Sequence, residues 1–420
     1  MVTGGRRRGY CPPLVPNVVF VAPYFLEATM RFVDAAVGLP GVRVALVGSE
    51  PPEKVPGPLA ASLATYVRVD DCLDARSLAD GVREAGRRLG SVDRALSILE
   101  DLQVPLGQVR EELGIAGMDG QTAVGFRDKA RMKDVLRAAG VPCARHGLAR
   151  SVEEAWAAAE WCGFPVVVKP PAGAGARGTF RLESADQLRE WLAVAPPAGG
   201  QPAMIEELVV GDELSFDSVV LHGKMLWHSI SRYAPTPLTV LEHPWIQWCV
   251  LLPREIDGPE YEPIRQAGVA ALDALGLVSG FSHMEWFRRA DGSVAVSEVG
   301  ARPPGAQFTT LMSFAHDVDL HAAWAHLMVY DEFDPPERRW AVGAAYLRPQ
   351  GRGHIRAVHG VDQIDPALHE LVVQARLPEA GQPTSSSYEG DGYVIVRHRD
   401  TDVVERALEQ LITTIRVELE

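Results

Sequence analysis

The sequence lacks most of the features that mark membrane proteins and nucleic-acid-binding proteins. In its 420 residues no apolar run of membrane-spanning length is free of charges, so no transmembrane helix is predicted. The net charge is −14 and no basic block follows the first ten residues, which argues against non-specific binding to nucleic acid. The composition, 47% hydrophobic and 23% charged, is otherwise ordinary for a soluble globular protein.

The five cysteines are scattered and form no Cys-x-x-C pair. An odd number without metal-ligand spacing favours reduced thiols and a cytoplasmic location over a disulfide framework or a zinc site. Residues 1–16 contain an arginine run with no long apolar core behind it. We interpret this segment as a disordered leader rather than a signal peptide.

Strand and helix patterns alternate at the start of the chain. The apolar runs at 17–23 and 42–48 predict strands, and a helical pattern separates them. Strand, helix, strand is the beginning of an open α/β sheet, so an α/β domain is predicted over 17–120. Near the other end, Pro335-Pro336 predicts a boundary. The segment 335–420 after it, with strands and a final helix at 402–418, is predicted to be a small α+β domain.

A glycine-rich loop, "PAGAGARGTF" (171–180), follows a buried strand. Gly173, Gly175 and Gly178 lack a Cβ, so backbone N–H groups there can approach an anion. Alone, the loop is typical of a flexible turn, because it matches neither a P-loop nor a Rossmann fingerprint. However, Lys169 ends the preceding run of three valines, where a solvated lysine is not expected. A lysine that leaves a buried strand beside a glycine loop suits phosphate binding.

Two further segments carry charges suited to a nucleotide. Lys129 lies near the start of a predicted helix, where anions are favoured, although alone it is more typical of a solvated surface lysine. The stretch "IEELVVGDEL" (205–214) places Glu206 and Glu207 at a strand end and Glu213 beyond a glycine turn. Such acids can accept hydrogen bonds from an adenine amine and from ribose hydroxyls. The alternative is an acidic surface turn.

The stretch "HMEWFRRADGSVAVSEV" (283–299) predicts a β-hairpin around its Asp-Gly pair. With a two-residue turn, Glu285 lies directly opposite Glu298, with Cβ atoms about 4.5–5.5 Å apart. Like charges in this arrangement repel, so a shared proton, an arginine or a divalent cation should compensate them. All-oxygen ligands favour Mg²⁺ or Mn²⁺. A three-residue turn would instead place the two acids on opposite faces.

Taken in order, these segments resemble the ATP-grasp superfamily, in the branch of the amino-acid ligases and biotin carboxylases. The segments that carry the resemblance are "RDKARMKDVLRAAGVP", "PVVVKP", "IEELVVGDELS" and "SEVGARPPG". The resemblance covers about 17–420 and implies an α/β and α+β ATP-grasp fold. The implied domains are an open α/β (pre-ATP-grasp) domain at 17–120, an ATP-grasp region at 121–334 with a lid subdomain at about 126–200, and a C-terminal cap at 335–420.

The resemblance implies a role for each matching residue. Lys129 and Lys169 hold the ATP phosphates, and the loop that contains Gly173, Gly175 and Gly178 closes over them as a lid. Glu206, Glu207 and the Val209 backbone meet adenine, and Glu213 meets the ribose. Glu285 and Glu298 hold Mg²⁺, and Arg302 steadies the transferred phosphoryl group. The sequence departs from the family at Gly300, where the family usually has an asparagine that binds metal.

The implied activity is that of an ATP-dependent carboxylate–amine ligase. A carboxylate is activated as an acyl phosphate, an amine attacks it, and an amide, ADP and phosphate result. The partners that the resemblance implies are small-molecule carboxylates and amines, of amino-acid or peptide-like type, and the family often forms homodimers. Alternatives are a biotin-carboxylase-like or formate-activating enzyme and, because of Gly300, a nucleotide-binding pseudoenzyme. Candidates to line the substrate pocket are Ser231, Arg232, Tyr233, His283 and Trp286.

Overall fold

The computed structural model describes residues 15–173, 178–243, 246–385 and 389–420. Most of the predicted leader, residues 1–14, and Gly175 of the glycine loop lie outside the described residues. The chain forms two compact units, one of residues 1–120 and 321–333 and the other of residues 121–320 and 334–420. No helix in the described ranges is long and apolar enough to cross a membrane.

The first unit is an open α/β sheet, as the alternating pattern predicts. Its elements are β1 (Asn17–Val21), α1 (Glu27–Val37), β2 (Arg43–Gly48), α2 (Gly57–Ser62), β3 (Thr65–Arg68), α3 (Ala75–Leu89), β4 (Arg94–Leu96) and α4 (Gln103–Leu113). In the described residues the strands are parallel in the order β3-β2-β1-β4. Trp324, from the returning segment 321–333, packs its ring against Phe20 and Phe32.

The second unit begins with the segment predicted to form the lid. Its elements are α5 (Gly120–Arg127), α6 (Lys129–Ala138), β5 (His146–Ala149), α7 (Val152–Cys162), β6 (Val166–Lys169), β7 (Phe180–Leu182), α8 (Ala185–Val194) and β8 (Ala203–Glu207). The described strands form an antiparallel sheet in the order β5-β8-β6-β7. Ser151 and Ser184 cap α7 and α8 by accepting from the backbone N–H three residues on.

The remaining elements follow in chain order. They are β9 (Asp212–Leu221), β10 (Lys224–Ala234), α9 (Pro237–Glu242), β11 (Trp248–Leu252), α10 (Glu262–Leu275), β12 (Gly280–Arg288), β13 (Val294–Gly300), α11 (Phe308–His316), α12 (Leu320–Tyr330), β14 (Ala341–Leu347), β15 (Ile355–His359), α13 (Pro366–His369), β16 (Val372–Arg376), β17 (Gly392–His398), α14 (Thr401–Thr414) and β18 (Arg416–Leu419). Short 3₁₀ turns lie at Pro52–Lys54, Glu100–Leu102, Pro259–Tyr261 and Val361–Gln363.

One large antiparallel sheet runs through the second unit. Among the described residues it contains eight strands in the order β13-β12-β9-β10-β11-β14-β17-β16. The last three of these belong to the predicted cap, so the cap strands continue the sheet that carries the hairpin acids. The strands β9 and β10 form a hairpin that turns at His222-Gly223, and both residues have the positive φ that a tight hairpin turn requires.

The predicted helix at 402–418 is wrong at its end. The helix α14 stops at Thr414, and β18 follows and pairs with β15. The sequence "RVEL" alternates polar and apolar residues, which is the period of a strand. Tertiary pairing with β15 therefore replaces the last helical turn.

Candidate active site

The hairpin of β12 and β13 has a three-residue turn, so the predicted two-residue turn is wrong. The Arg289 N–H donates to the Ser293 carbonyl at 2.9 Å, and the Gly292 N–H donates to the Arg289 carbonyl at 2.9 Å. Gly292 takes φ 81°, and the Asp291 carboxylate accepts from the Ser293 N–H. Beyond the turn Trp286 pairs with Val296, one residue away from the predicted register.

A β-bulge then restores the predicted pairing of the two acids. The register shifts between Glu285 and Trp286, because β13 holds the extra residue Ser297 there. As a result Glu285 lies directly opposite Glu298, as predicted, and His283 lies opposite Gly300. The three-residue turn alone would have separated the acids, so the bulge is the feature that brings them together.

Positive groups next to the acid pair compensate part of its charge. The Nζ atom of Lys129 lies 2.8 Å from a Glu298 carboxylate oxygen and also donates to the Gly173 carbonyl at 2.7 Å. Lys129 is buried, so the view of it as a solvated surface lysine is wrong. On the other strand, His283 Nε2 lies 3.9 Å from a Glu285 oxygen. The repulsion predicted from the sequence is therefore met by a lysine on one acid and a histidine near the other.

The side chain of His283 contacts Asp217, a buried acid that the sequence analysis did not identify. His283 Nδ1 lies 2.6 Å from a carboxylate oxygen of Asp217, which is 1% exposed, and Ser215 donates to the other oxygen of that carboxylate. Burial works to lower the pKa of His283, but Asp217 outweighs it and raises the pKa to about 9. His283 therefore adds a positive charge beside Glu285.

Glu213 adds a third carboxylate to this face of the sheet. It lies on β9, opposite Phe287 of β12. Burial, and next the negative charges of Glu285 and Glu298, raise the pKa of Glu213 well above its ordinary value. The carboxylates of Glu213, Glu285 and Glu298 are therefore close enough to act on one another electrostatically. This differs from the alternative interpretation of the sequence, in which Glu213 lies in an acidic surface turn.

Lys169 and Glu206 form the buried half of the site. Lys169 Nζ lies 2.5 Å from one Glu206 oxygen, and Lys133 Nζ lies 3.1 Å from the other. Burial works to raise the pKa of Glu206, but the two lysines outweigh it and lower the pKa to about 2. Burial likewise works to lower the pKa of Lys169. The negative charge of Glu206 outweighs burial and, together with Glu298 and Glu285, raises this pKa above its ordinary value. Glu206 and Lys169 are therefore both charged at neutral pH.

The predicted adenine segment follows directly at the end of β8. Glu207 pairs with Arg145 at 2.6 Å, and Arg289 lies 3.7 Å from its other oxygen. Val209 makes no backbone hydrogen bond to another described residue. The adenine contacts of Glu206, Glu207 and Val209 remain predictions, and so does the ribose contact of Glu213.

The glycine loop contacts the site through the backbone carbonyl of Gly173, its first glycine. Gly173 accepts from Lys129, as above, and from Arg127 Nη1 at 3.1 Å. Gly178 has φ 69°, which favours glycine. Gly175, between them, lies outside the described residues. Phosphate binding by this loop remains a prediction.

Gly300 is the last residue of β13, the strand that carries Glu298, and Arg302 lies in the loop after it. Arg302 Nη1 donates to the Pro303 carbonyl at 2.9 Å. A Cβ at Gly300 would have Arg302 Cγ and the His283 carbonyl as its nearest neighbours, each at 3.7 Å, so a side chain fits there. The role of Arg302 toward a phosphoryl group stays a prediction.

Of the candidates for the substrate pocket, only some share the face of the acids. Side chains alternate along a strand, so His283 lies on the face of Glu285, whereas Trp286 lies on the opposite face and is fully buried in the core. Arg232 donates to the Tyr261 hydroxyl at 2.7 Å. Ser231 is fully buried.

The donor set fits Mg²⁺ that is held in part by a substrate. In the ranges the structure describes, no three His, Cys, Asp or Glu side chains come together as a complete metal cage. Glu285 and Glu298 still offer oxygen ligands from opposed positions. Mg²⁺ is commonly bound by one or two carboxylates, with substrate phosphates and waters as its other ligands. Two carboxylates are therefore a sufficient protein contribution.

Known proteins resemble this chain in sequence and in fold. Residues 128–209 match the family described as the carbamoyl-phosphate synthase L chain, ATP binding domain. An L-arginine-specific L-amino acid ligase of Bacillus subtilis is 28% identical over 65% of this chain and 66% of its own length. A D-alanine–D-alanine ligase of Stutzerimonas stutzeri is 26% identical over 52% of this chain and 70% of its own.

A solved structure extends the likeness to nearly the whole chain. The L-amino acid ligase of Bacillus licheniformis superposes with a TM-score of 0.78 and 17% identity, over 97% of this chain and all of that one. The chain thus has a mixed α/β fold, and its residues 128–209 match an ATP-binding domain family. These matches agree with the resemblance to the ATP-grasp superfamily predicted from the sequence. It spans about two thirds of the length of the amino-acid ligase of Bacillus subtilis.

Proposed function

We propose that the protein is an ATP-dependent carboxylate–amine ligase that acts on amino acids or peptide-like substrates. The observation that carries the proposal is the opposed pair Glu285 and Glu298, which lies within electrostatic reach of Lys169, whose side chain is 12% exposed. Acids that would bind a cation thus lie beside ammonium groups that would bind phosphate. The related ligases named above, which join amino acids, support the substrate class.

The proposed reaction has two steps. A carboxylate oxygen of the first substrate attacks the γ-phosphorus of ATP, and the bond to ADP breaks to leave an acyl phosphate. The amine of the second substrate then attacks the acyl carbon, inorganic phosphate leaves, and the nitrogen loses a proton. Activation is needed because a free carboxylate is a poor electrophile.

The residues of the chain act in this reaction by position and charge. Lys129 and Lys169 neutralise phosphate oxygens, and Arg302 steadies the group in transfer. Mg²⁺, when bound by Glu285 and Glu298, supplies further neutralisation of the phosphates. Because the side chains of Lys129 and Lys169 are largely removed from bulk water, their charges interact strongly with phosphate oxygens.

The test is a screen for ADP release. The full chain is incubated with ATP, Mg²⁺ and pairs of L-amino acids, with arginine among them, and ADP and phosphate are measured. We expect release that depends on an amino-acid pair, and its loss in Glu298→Gln. The matched control Glu160→Gln removes an exposed acid of α7 and should keep the activity. No ADP release across a broad panel of acids and amines would overturn the proposal.

A second candidate is motivated by Gly300, which offers no side-chain ligand to a metal. It is a nucleotide-binding protein without turnover, and ATP binding with no ADP release in the same screen would favour it. A homodimer in a cytoplasmic setting completes the proposal. Light scattering on the full chain tests the dimer.

A further inference from the structure

Lys133 is a buried lysine that the proposed mechanism does not use. It lies on α6, four residues and therefore about one helical turn after Lys129. Its side chain is 1% exposed, and its Nζ atom lies 3.1 Å from Glu206 Oε2. Within the described residues that ammonium makes no hydrogen bond of good geometry, so its close relation to Glu206 is mainly electrostatic.

Glu206 is shared between two lysines, one at each oxygen. Its Oε1 is 2.5 Å from Lys169, and its Oε2 faces Lys133. If Lys169 were the only lysine here, the negative charge of Glu206 would cancel its positive charge. With Lys133 present, two ammonium groups and one carboxylate leave a net charge of +1 in a buried place.

That surplus charge matters at the position of Lys169. A phosphate group that approaches Lys169 meets a cation whose partner acid is already compensated from the other side. Glu285 and Glu298 also act on Lys169, so without the surplus the surroundings of this lysine would be strongly negative. Repulsion of an anionic ligand is strong where solvent screening is weak.

We propose that Lys133 is a positioning residue for nucleotide binding, because it compensates Glu206 and so leaves the charge of Lys169 available to phosphate. This inference rests on the proposed function, since it assumes that Lys169 meets the phosphates of ATP. Lys133 does not touch the nucleotide itself. Its effect passes through Glu206, and this sets it apart from Lys129 and Lys169.

The alternative is that Lys133 only helps the protein to fold. A purely structural lysine would change the melting temperature when replaced, but not the affinity for nucleotide at temperatures where the variant is folded. It would also act in the same way whether or not residue 206 carries a charge. These two differences make the roles separable.

The experiment measures binding of a non-hydrolysable ATP analogue with Mg²⁺ to the full chain by titration calorimetry. The variants are Lys133→Met, Lys133→Arg, Glu206→Gln and the double variant Lys133→Met with Glu206→Gln. The matched control is Arg131→Met, which removes an exposed cation two residues away on α6 that contacts Gln121 rather than Glu206.

We expect Lys133→Met to weaken analogue binding about tenfold or more, because the uncompensated Glu206 then pairs with Lys169 and competes with phosphate for its charge. Lys133→Arg should keep most of the affinity, and Arg131→Met should match the wild type. In the Glu206→Gln background the same Lys133→Met change should cost less than about threefold, because no buried acid is left to compensate. KM for ATP should rise more than kcat falls.

The outcomes separate this inference from the proposed function. Wild-type protein that binds no analogue would overturn the proposed function and this inference with it. Wild-type binding with an unchanged Lys133→Met variant would overturn the inference alone. If Lys133→Met does not fold, the double variant is compared with Glu206→Gln instead, because the double variant buries no unpaired carboxylate. A loss of tenfold or more relative to Glu206→Gln alone would then contradict compensation.

Discussion

The buried acid Glu206 gives a quantitative prediction about stability and pH. Its carboxylate lies between two ammonium groups and is 6% exposed. The change Glu206→Gln keeps the size of the side chain but removes the charge, which leaves both lysines without their buried partner. We expect the variant to be less stable than the wild type at neutral pH.

The magnitude follows from the pKa of Glu206, which falls from an ordinary 4.5 to about 2. A shift of this size corresponds to about 3 kcal/mol of unfolding free energy at neutral pH. A lowered pKa stabilises the fold above the unfolded value of 4.5, and this contribution is lost as the pH falls toward 2. By linkage, about 1 kcal/mol is lost by pH 4 and about 2 kcal/mol by pH 3.

The assay is urea unfolding followed by tryptophan fluorescence at several pH values between 7 and 3. Of the nine tryptophans only Trp324 belongs to the first unit, so the signal reports mainly on the second unit, which contains Glu206. The gap between wild type and Glu206→Gln should be about 3 kcal/mol at pH 7 and shrink to about 1 kcal/mol at pH 3.

A gap that stays constant over this range would refute the reasoning, because it would show that Glu206 has the same pKa in the folded and unfolded chains. A variant as stable as the wild type at pH 7 would also contradict it. The control Glu160→Gln, at an exposed position, should show no gap at any pH.

Three further predictions concern the acid pair. Deletion of Ser297 removes the bulge but leaves Val296 opposite Trp286 and Glu298 opposite Glu285, so ADP release should be kept, whereas Glu298→Gln should abolish it; loss of ADP release on the deletion would refute the view that the opposition of the acids is what matters. The change Gly300→Asn adds an oxygen ligand where a Cβ has no neighbour closer than 3.7 Å, so the Mg²⁺ concentration for half-maximal ATP turnover should fall, and an unchanged value would speak against a metal there. Since the pKa of Glu213 is raised, its ionisation costs stability as the pH rises above its unfolded value of 4.5. In metal-free buffer Glu213→Gln should therefore melt above the wild type at pH 8 and equal it below pH 4.5, and a gap without pH dependence would contradict this.

The sequence reveals the order of the site residues better than it reveals their partners. Spacing along the chain predicted the opposition of Glu285 and Glu298, which the structure confirms. The prediction was correct although the turn was not, because the bulge at Ser297 offsets the extra residue of the turn. The turn was predicted wrongly because an Asp-Gly pair suits both a two-residue turn and the last two positions of a longer one. No local pattern marks Ser297 as a bulge, since a bulge depends on how the partner strand pairs.

Long-range partners also escape a reading of the sequence. Lys133 falls at a helical spacing of four from Lys129, which places both on one side of α6. That signal was available, but the partner Glu206 is more than seventy positions further along the chain. No local pattern marks Asp217, and only the pairing of β9 with β12 places it against His283.

The most direct measurement of the central claim follows the oxygen of the substrate carboxylate. A substrate pair found in the ADP screen is used again, with the carboxylate of the first substrate labelled with ¹⁸O. If the carboxylate is activated as an acyl phosphate, one labelled oxygen per turnover is transferred to inorganic phosphate, which mass spectrometry detects. ADP release with phosphate that carries no label would contradict the account.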